Sequence, residues 1–313
     1  MALKKESKNG TGVHPVKTLQ DHIESLDAAM LVATTAAEVG AVHKLRTSTR
    51  RVEAHLRLVD LLEHATKPKA IPEHATEAKA VQRRLRRVRR AAGAVRDLDV
   101  QADAIWYDAP AKTAANDDAI AAVRKQAKAL RKHLNHMRGT EAAKLIDVLH
   151  AQQQKLAAAL QALEQAMKPA SVPAVEPAKM AKYIERWFAN EAQSLLQPGH
   201  KQAKGEASWQ SRLQVLDEDG LHNLRKVAKL CRYMAESAPD DLHTRQLAEQ
   251  FEAVQETGGN WHDWLLLVQL SKGFHGKKAE LTQRYTQHSE QALAKYRQTL
   301  LSLLPSLTAT ADL

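Results

Sequence analysis

Cysteine is almost absent from this 313-residue chain. The single residue, Cys231, excludes an intrachain disulfide and any zinc site built on several cysteines, and its small apolar side chain is expected in the core. Aromatics make up only 4% and glycine is scarce, while Ala, Leu, Gln, Lys, Arg and Glu abound. These are strong helix formers, whereas sheets draw on β-branched and aromatic residues, so the expected fold is all-α. No apolar run approaches the roughly 20 residues of a transmembrane helix. The first residues, Met1 to Lys8, lack the apolar stretch of a secretion signal. The expectation is a cytoplasmic protein with no membrane insertion. There is no Gly-rich P-loop and no Gly-x-Ser-x-Gly elbow. Acids are the minority charge, 36 against 46 Lys and Arg, for a net charge of +10. Such an excess implies an anionic partner: nucleic acid, anionic lipid or polyphosphate.

Residues 1–14 are polar and are expected to be disordered. The periodicity predicts helices over about 15–38, 40–64 and 73–92, the last interrupted at Gly93 and resumed from Asp99, then over 116–136 and 139–167. Pro169, Pro173 and Pro177 fall within nine residues and cannot continue a helix, so 169–177 reads as a linker between halves 15–168 and 178–304. The second half predicts helices over about 178–196, 206–236, 240–258, 261–273 and 277–304, with 305–313 as a tail. Two antiparallel helical bundles side by side follow from that count.

The halves repeat one another. His43-x-Leu45-Arg46-x3-Arg50-Arg51 is matched by His222-x-Leu224-Arg225-Lys226-x2-Lys229-x2-Arg232, and Gly93-x2-Arg96-Asp97 by Gly259-x2-His262-Asp263. A degenerate duplication means two copies of one architectural unit. At about 100° per residue, with His43 at zero, Arg46, Arg50 and Arg57 fall at about 300°, 340° and 320°, opposite Leu45, Val52, Leu56 and Val59. With His222 at zero, Arg225, Lys229 and Arg232 fall at about 300°, 340° and 280°, opposite Leu224, Val227 and Cys231; Lys226 borders that stripe. Arg83, Arg86, Arg87 and Arg90 form a third stripe, opposite Val81, Leu85 and Val88. Arg124, Lys128, Arg131 and Arg138 form a fourth. Like charges at i, i+3 and i+4 oppose a helix, and these stripes contain few acids, Glu236 beside Arg232 being an exception. A polyanion that neutralises them accounts for the pattern.

Arg donates two parallel charge-assisted hydrogen bonds to a phosphate, and Lys supplies a point charge. His supplies a donor that gains charge near pH 6.5. Binding is therefore expected to strengthen as pH falls from about 8 to about 6 through His43 and His222, with Arg and Lys unchanged. Arg96 and His262 are expected to face the anion, with Asp97 and Asp263 orienting basic neighbours. His262-Asp263 also has the form of a metal-binding doublet, which keeps a metal-dependent phosphohydrolase in view. That chemistry needs further His and Asp ligands, and Arg96, the first-half counterpart, ligates no metal. Trp187, Trp209, Trp261 and Trp264 occur singly and are expected to pack in the core. Single-stranded nucleic acid would want aromatic platforms along the stripes, and these hold almost none.

On these four elements, His43 to Arg51, Gly93 to Val100, Leu221 to Glu236 and Gly259 to Asp263, the chain resembles the CHAD family, an α-helical domain named for its histidines. The resemblance covers about 15–300. It implies two four-helix bundles related by a pseudo-twofold, with a basic groove or pore between them. It further implies binding of inorganic polyphosphate and association with polyphosphate granules, without catalysis by the domain and without a cofactor or metal. Some members are fused to a triphosphate-processing CYTH domain; this chain is expected to be a stand-alone member. The residues expected on the anion are His43, Arg46, Arg50, Arg57, Arg83, Arg87, Arg90, Arg96, Arg131, His222, Arg225, Lys226, Lys229, Arg232 and His262. Trp261 and Trp264 flank His262 and leave two placements for it, in the groove or away from it. Nucleic acid remains the alternative partner.

Overall fold

A computed structural model describes residues 12–66, 72–108, 118–167, 172–196 and 209–311. The described residues are helical almost throughout: α1 (Pro15–Thr35), α2 (Val39–Thr66), α3 (Ala75–Asp108), α4 (Asp118–Ala166), α5 (Pro177–Leu196), α6 (Trp209–Val215), α7 (Glu218–Ala235), α8 (Leu242–His275) and α9 (Glu280–Ala311). No strand occurs among them. An isolated bridge joins Val13 to Val175 through two backbone hydrogen bonds of 2.9 Å. The all-α expectation holds.

Several boundaries move. Of the N-terminal segment expected to be disordered, residues 1–11 lie outside the described residues, but Val13 belongs to the fold, 8% exposed and bonded to Val175. The linker shows the same division: 168–171 lie outside the described residues, while Val172 is buried and Val175 pairs with Val13. Pro177 opens α5 instead of closing the linker, because a first-turn residue needs no N–H partner. Gly93, Gly139 and the Gly258-Gly259 pair break no helix. A helical glycine costs only about 1 kcal/mol, which flanking buried side chains outweigh. The helix expected over 206–236 is instead divided at Leu216-Asp217, where Asp217 caps α7 by accepting from the Gly220 N–H at 2.8 Å. Likewise α9 runs through Pro305 to Ala311 rather than ending in a tail at 305: the missing N–H removes one bond without stopping the run. Gly276, with φ 91°, turns the chain out of α8, a conformation that glycine alone adopts freely.

In the first half α1 packs on α2 and α4, and α3 on α2 and α4. In the second, α7, α8 and α9 pack in sequence and α5 closes on α7 and α9. The halves meet where α2 lies against α7, α4 against α9 and α3 against α8. One continuous cluster of buried apolar side chains runs through both, from Leu26 and Leu56 to Phe251 and Tyr296. A second joins Leu98, Leu130 and Leu134 to Leu267, Leu281 and Tyr285. The halves therefore share their cores rather than standing as separate bundles. Cys231 is fully buried. Trp261 is 1% exposed and stacks on Tyr296. Trp264 is half-buried, against Tyr285 and His288; the Trp209 side chain lies outside the description.

Candidate functional site

The seam between α2 and α7 gathers the cations. On α2, Leu45, Val52, Leu56 and Val59 are all fully buried, which turns the opposite side, with His43, Arg46 and Arg50, away from the core. On α7, Leu224, Ala228 and Cys231 are buried in the same way and aim Arg225, Lys226 and Lys229 at the same seam. The two rows act on one another through their charges. Burial first, then Arg46, Arg50, Arg225 and Arg232, hold the Lys229 ammonium down to about 7. Burial, Arg50 and Arg225 likewise lower Lys226, and burial lowers Arg225.

The α3 and α8 helices complete the group. Arg46 donates to Asp97 at 3.0 Å. Glu53 is shared by Arg50 at 3.0 Å and Arg89 at 2.6 Å. Burial and Arg50 bring Arg89 down to about 10, so it stays charged at neutral pH. Arg96 couples to His43, whose proton affinity is lowered by burial and then by Arg96, Lys229 and Arg46. From α8, Asp263 is pushed up to about 6 by burial, with Arg225 opposing. Arg225 lies over Gly259, its Nη1 3.6 Å from where a Cβ would stand, and Arg46 lies over Gly93, its Nε at 4.0 Å. Gly258 has the closer neighbour: a Cβ there would meet the Tyr296 ring at 2.8 Å. That approach seats Tyr296 against Trp261, with its hydroxyl donating to the Leu221 carbonyl at 3.0 Å.

His262 reaches the seam. Its ring lies 4.4 Å from that of His222, with a 33° tilt, and the Nδ1 atoms of both are buried without a hydrogen-bond partner among the described residues. Burial first, then the surrounding cations led by Arg225, holds His222 down to about 3 and His262 to about 4. Free His222 is thus neutral throughout pH 6–8, so the proton it takes up on binding depends on how far the anion raises that value. In the free protein Lys229 also titrates near neutrality, contrary to the expectation that Lys keeps its charge.

The acids also correct the stripe picture. Arg46, Arg50 and Arg232 carry ion pairs, Arg232 with both Glu236 and Glu252 at 2.8 Å. Arg51 joins Glu236 at 3.2 Å and lies over the Tyr233 ring. Among the described residues no carboxylate forms an ion pair with Arg96, Arg225, Lys226 or Lys229. Glu53 falls at about 280° on the α2 wheel, inside the cationic stripe. Arg89 flanks the apolar face of α3 about 80° from Val81, and both positions were there to be read.

Thus His43, Arg46, Arg50, Arg96, His222, Arg225, Lys226, Lys229 and His262 come together, with Arg232 at their edge. The other expected residues stand elsewhere. Arg57 lies over the Trp187 ring at 5.7 Å, toward α5. Arg83 and Arg87 line a depression of about 270 Å³ with Ala80 and Arg84, and Arg90 is exposed on α3. Arg131 is half-buried on α4, next to Leu130 of the second core cluster. The His262–Asp263 doublet is surrounded by cations, and no group of three His, Cys, Asp or Glu suited to a metal occurs among the described residues. No helix among them is long and apolar enough to cross a membrane.

No curated protein matches the sequence. Two solved structures share the fold. One is the crystal structure of the CHAD domain from the plant Ricinus communis, 15% identical, with a TM-score of 0.57 over 96% of this chain and 93% of that one. The other is PptA from Streptomyces chartreusis, 14% identical, with a TM-score of 0.53 over 96% of this chain and 98% of that one. The CHAD domain family model matches residues 17–271, which span all four motif elements. The chain belongs to the CHAD domain family.

Proposed function

We propose that the chain binds inorganic polyphosphate, without transforming it, in the cationic seam between α2, α3 and α7. The observation that carries this reading is Lys229. Burial first, and then Arg46, Arg50, Arg225 and Arg232 around it, bring its proton affinity down to about 7. A ligand of dense negative charge relieves that crowding and lets Lys229 keep its proton. Guanidinium forks on Arg46, Arg96 and Arg225 match phosphate oxygens. Family membership and the scarcity of aromatic platforms in the seam support a phosphate chain over a base-stacked strand. On this reading the protein resides in the cytoplasm, at polyphosphate granules. The test compares affinity for long-chain polyphosphate with that for double- and single-stranded nucleic acid at one salt concentration. Tighter binding of polyphosphate is expected; a clear preference for either nucleic acid overturns the reading.

A further inference from the structure

The arginines of α3 continue beyond the seam. Measured from buried Val81, Arg89 stands at about 80°, Arg86 at 140°, Arg90 at 180°, Arg83 at 200°, Arg87 at 240° and Arg84 at 300°. They form an arc over the outside of the helix. Its near end is in the seam, where Arg89 pairs with Glu53 and couples to Arg50 and Arg86. Its far end is the depression of about 270 Å³ lined by Ala80, Arg83, Arg84 and Arg87. There Arg84 reaches Gln152 Oε1 of α4 at 3.5 Å, and its Nε is buried with no partner among the described residues. Arg83, Arg86, Arg87 and Arg90 are exposed.

Beyond the Arg89–Glu53 pair the two helices along this route supply no acid. Residues 78–96 of α3 contain no Asp or Glu, nor do residues 148–163 of α4, which the Arg84–Gln152 contact places alongside. The seam contains Asp97, Glu53 and Asp263 among its cations; the arc has no such compensation in its own sequence. Beyond Arg89, which Glu53 pairs, five arginines with no acid in reach along the helix repel one another. Arg83 to Arg90 span about 10 Å along the axis, a length that several linked phosphates cover.

We propose that this arc is a second stretch of the polyphosphate path, over which a chain anchored in the seam continues across α3 to the α3–α4 depression. The consequence is that affinity depends on chain length: a short chain fills the seam alone, and a long one also engages Arg83 and Arg87. The inference rests on the polyphosphate reading of the seam.

The test uses the full chain, with tripolyphosphate and long-chain polyphosphate as probes and R83Q/R87Q as the variant. Both positions are exposed, so the fold is expected to survive; circular dichroism and a melting curve check it, and K182Q/R245Q, exposed on α5 and α8, serves as a surface control for net charge. By analogy with single-stranded nucleic acid, two lost phosphate contacts weaken long-chain binding about tenfold near 0.15 M salt and flatten its salt slope by about 1.4. Tripolyphosphate binding stays within twofold of the wild type. The arc is refuted if R83Q/R87Q binds long chains as the wild type does, if it loses tripolyphosphate equally, or if the control loses as much. Failure of the wild type to bind either probe refutes the seam reading and the arc with it, whereas normal binding of both probes by R83Q/R87Q refutes the arc alone.

Discussion

Lys229 makes the affinity of the seam depend on pH in a direction that its geometry dictates. In the free protein, burial and four guanidinium groups, Arg46 and Arg50 on α2 and Arg225 and Arg232 on α7, bring its ammonium to about 7. A polyanion placed among these cations favours the charged form and raises that value. Binding therefore takes up a proton wherever free Lys229 has lost one, and affinity falls as pH rises through and above 7. With a free value of about 7, and in the limit that the bound ammonium stays charged to pH 9, the dissociation constant rises about twofold from pH 6 to 7 and about fiftyfold from pH 7 to 9. Titration calorimetry with long-chain polyphosphate at fixed ionic strength reads this directly, and buffers of different ionisation enthalpy count the protons taken up. Lys229→Arg keeps the charge and removes the titration, so it is expected to bind with little slope between pH 7 and 9. Lys229→Gln binds more weakly at pH 7 and is equally flat. A slope that survives in both variants means that another group titrates and refutes the assignment to Lys229.

Other outcomes follow from the same contacts. Gly258→Ala forces the Tyr296 ring aside and is expected to cost about 1–3 kcal/mol in denaturant unfolding. Gly259→Ala, whose Cβ meets nothing closer than 3.6 Å, is neutral or slightly stabilising. Tyr296→Phe removes the hydroxyl that donates to Leu221 and costs about 1 kcal/mol. Asp97→Asn releases Arg46 from its carboxylate; polyphosphate affinity rises and its salt slope steepens, as read by binding at several salt concentrations. His222 and His262 have folded values of about 3 and 4, below the ordinary 6.5, so the unfolded chain binds more protons between pH 4 and 6.5 and acid weakens the fold there. His222→Gln/His262→Gln is expected to lose less stability than the wild type from pH 7 to 5. Asp263 works in the opposite sense, because its folded value of about 6 lies above 3.8; the comparison between variant and wild type isolates the histidines.

The apolar faces were legible because a helical period leaves a residue few choices. Leu45, Val52, Leu56 and Val59 share one side of the α2 wheel and all are fully buried. The glycines misled in the other direction. As local signals they suggest breaks at Gly93, Gly139 and Gly258, but a cost of about 1 kcal/mol each is small beside the core that α3, α4 and α8 bury. The actual interruption, at Leu216-Asp217, carries the opposite sort of signal, an acid three residues before a backbone N–H that it caps. Arg57 shows the limit of the wheel. It shares an angle with Arg46 and Arg50 yet lies about 10 Å farther along α2 than Arg50, where α5 offers the Trp187 ring.

Lys229 was legible as a member of a stripe but not as a group with a shifted proton affinity, and the reason is packing between distant parts of the chain. A helix taken alone places Lys229 beside Arg225 and Arg232, two cations in water, a modest perturbation. The additional neighbours, Arg46 and Arg50, come from about 180 residues away in the other half, and the burial that removes water from all of them comes from a core common to both halves. Acids in the seam then divide the cations into two kinds. Asp97, Glu53, Glu236 and Glu252 hold Arg46, Arg50, Arg89 and Arg232 in fixed positions. Arg225, Lys226 and Lys229 lie between these pairs with no ion-pairing carboxylate among the described residues. The paired arginines supply a rigid frame, and the unpaired cations supply the excess charge that the proposed phosphate chain would neutralise. Removing a frame acid should therefore raise affinity at some expense of order, whereas removing an unpaired cation should lower affinity and relieve the fold, so that stability and binding move in opposite directions at Lys229.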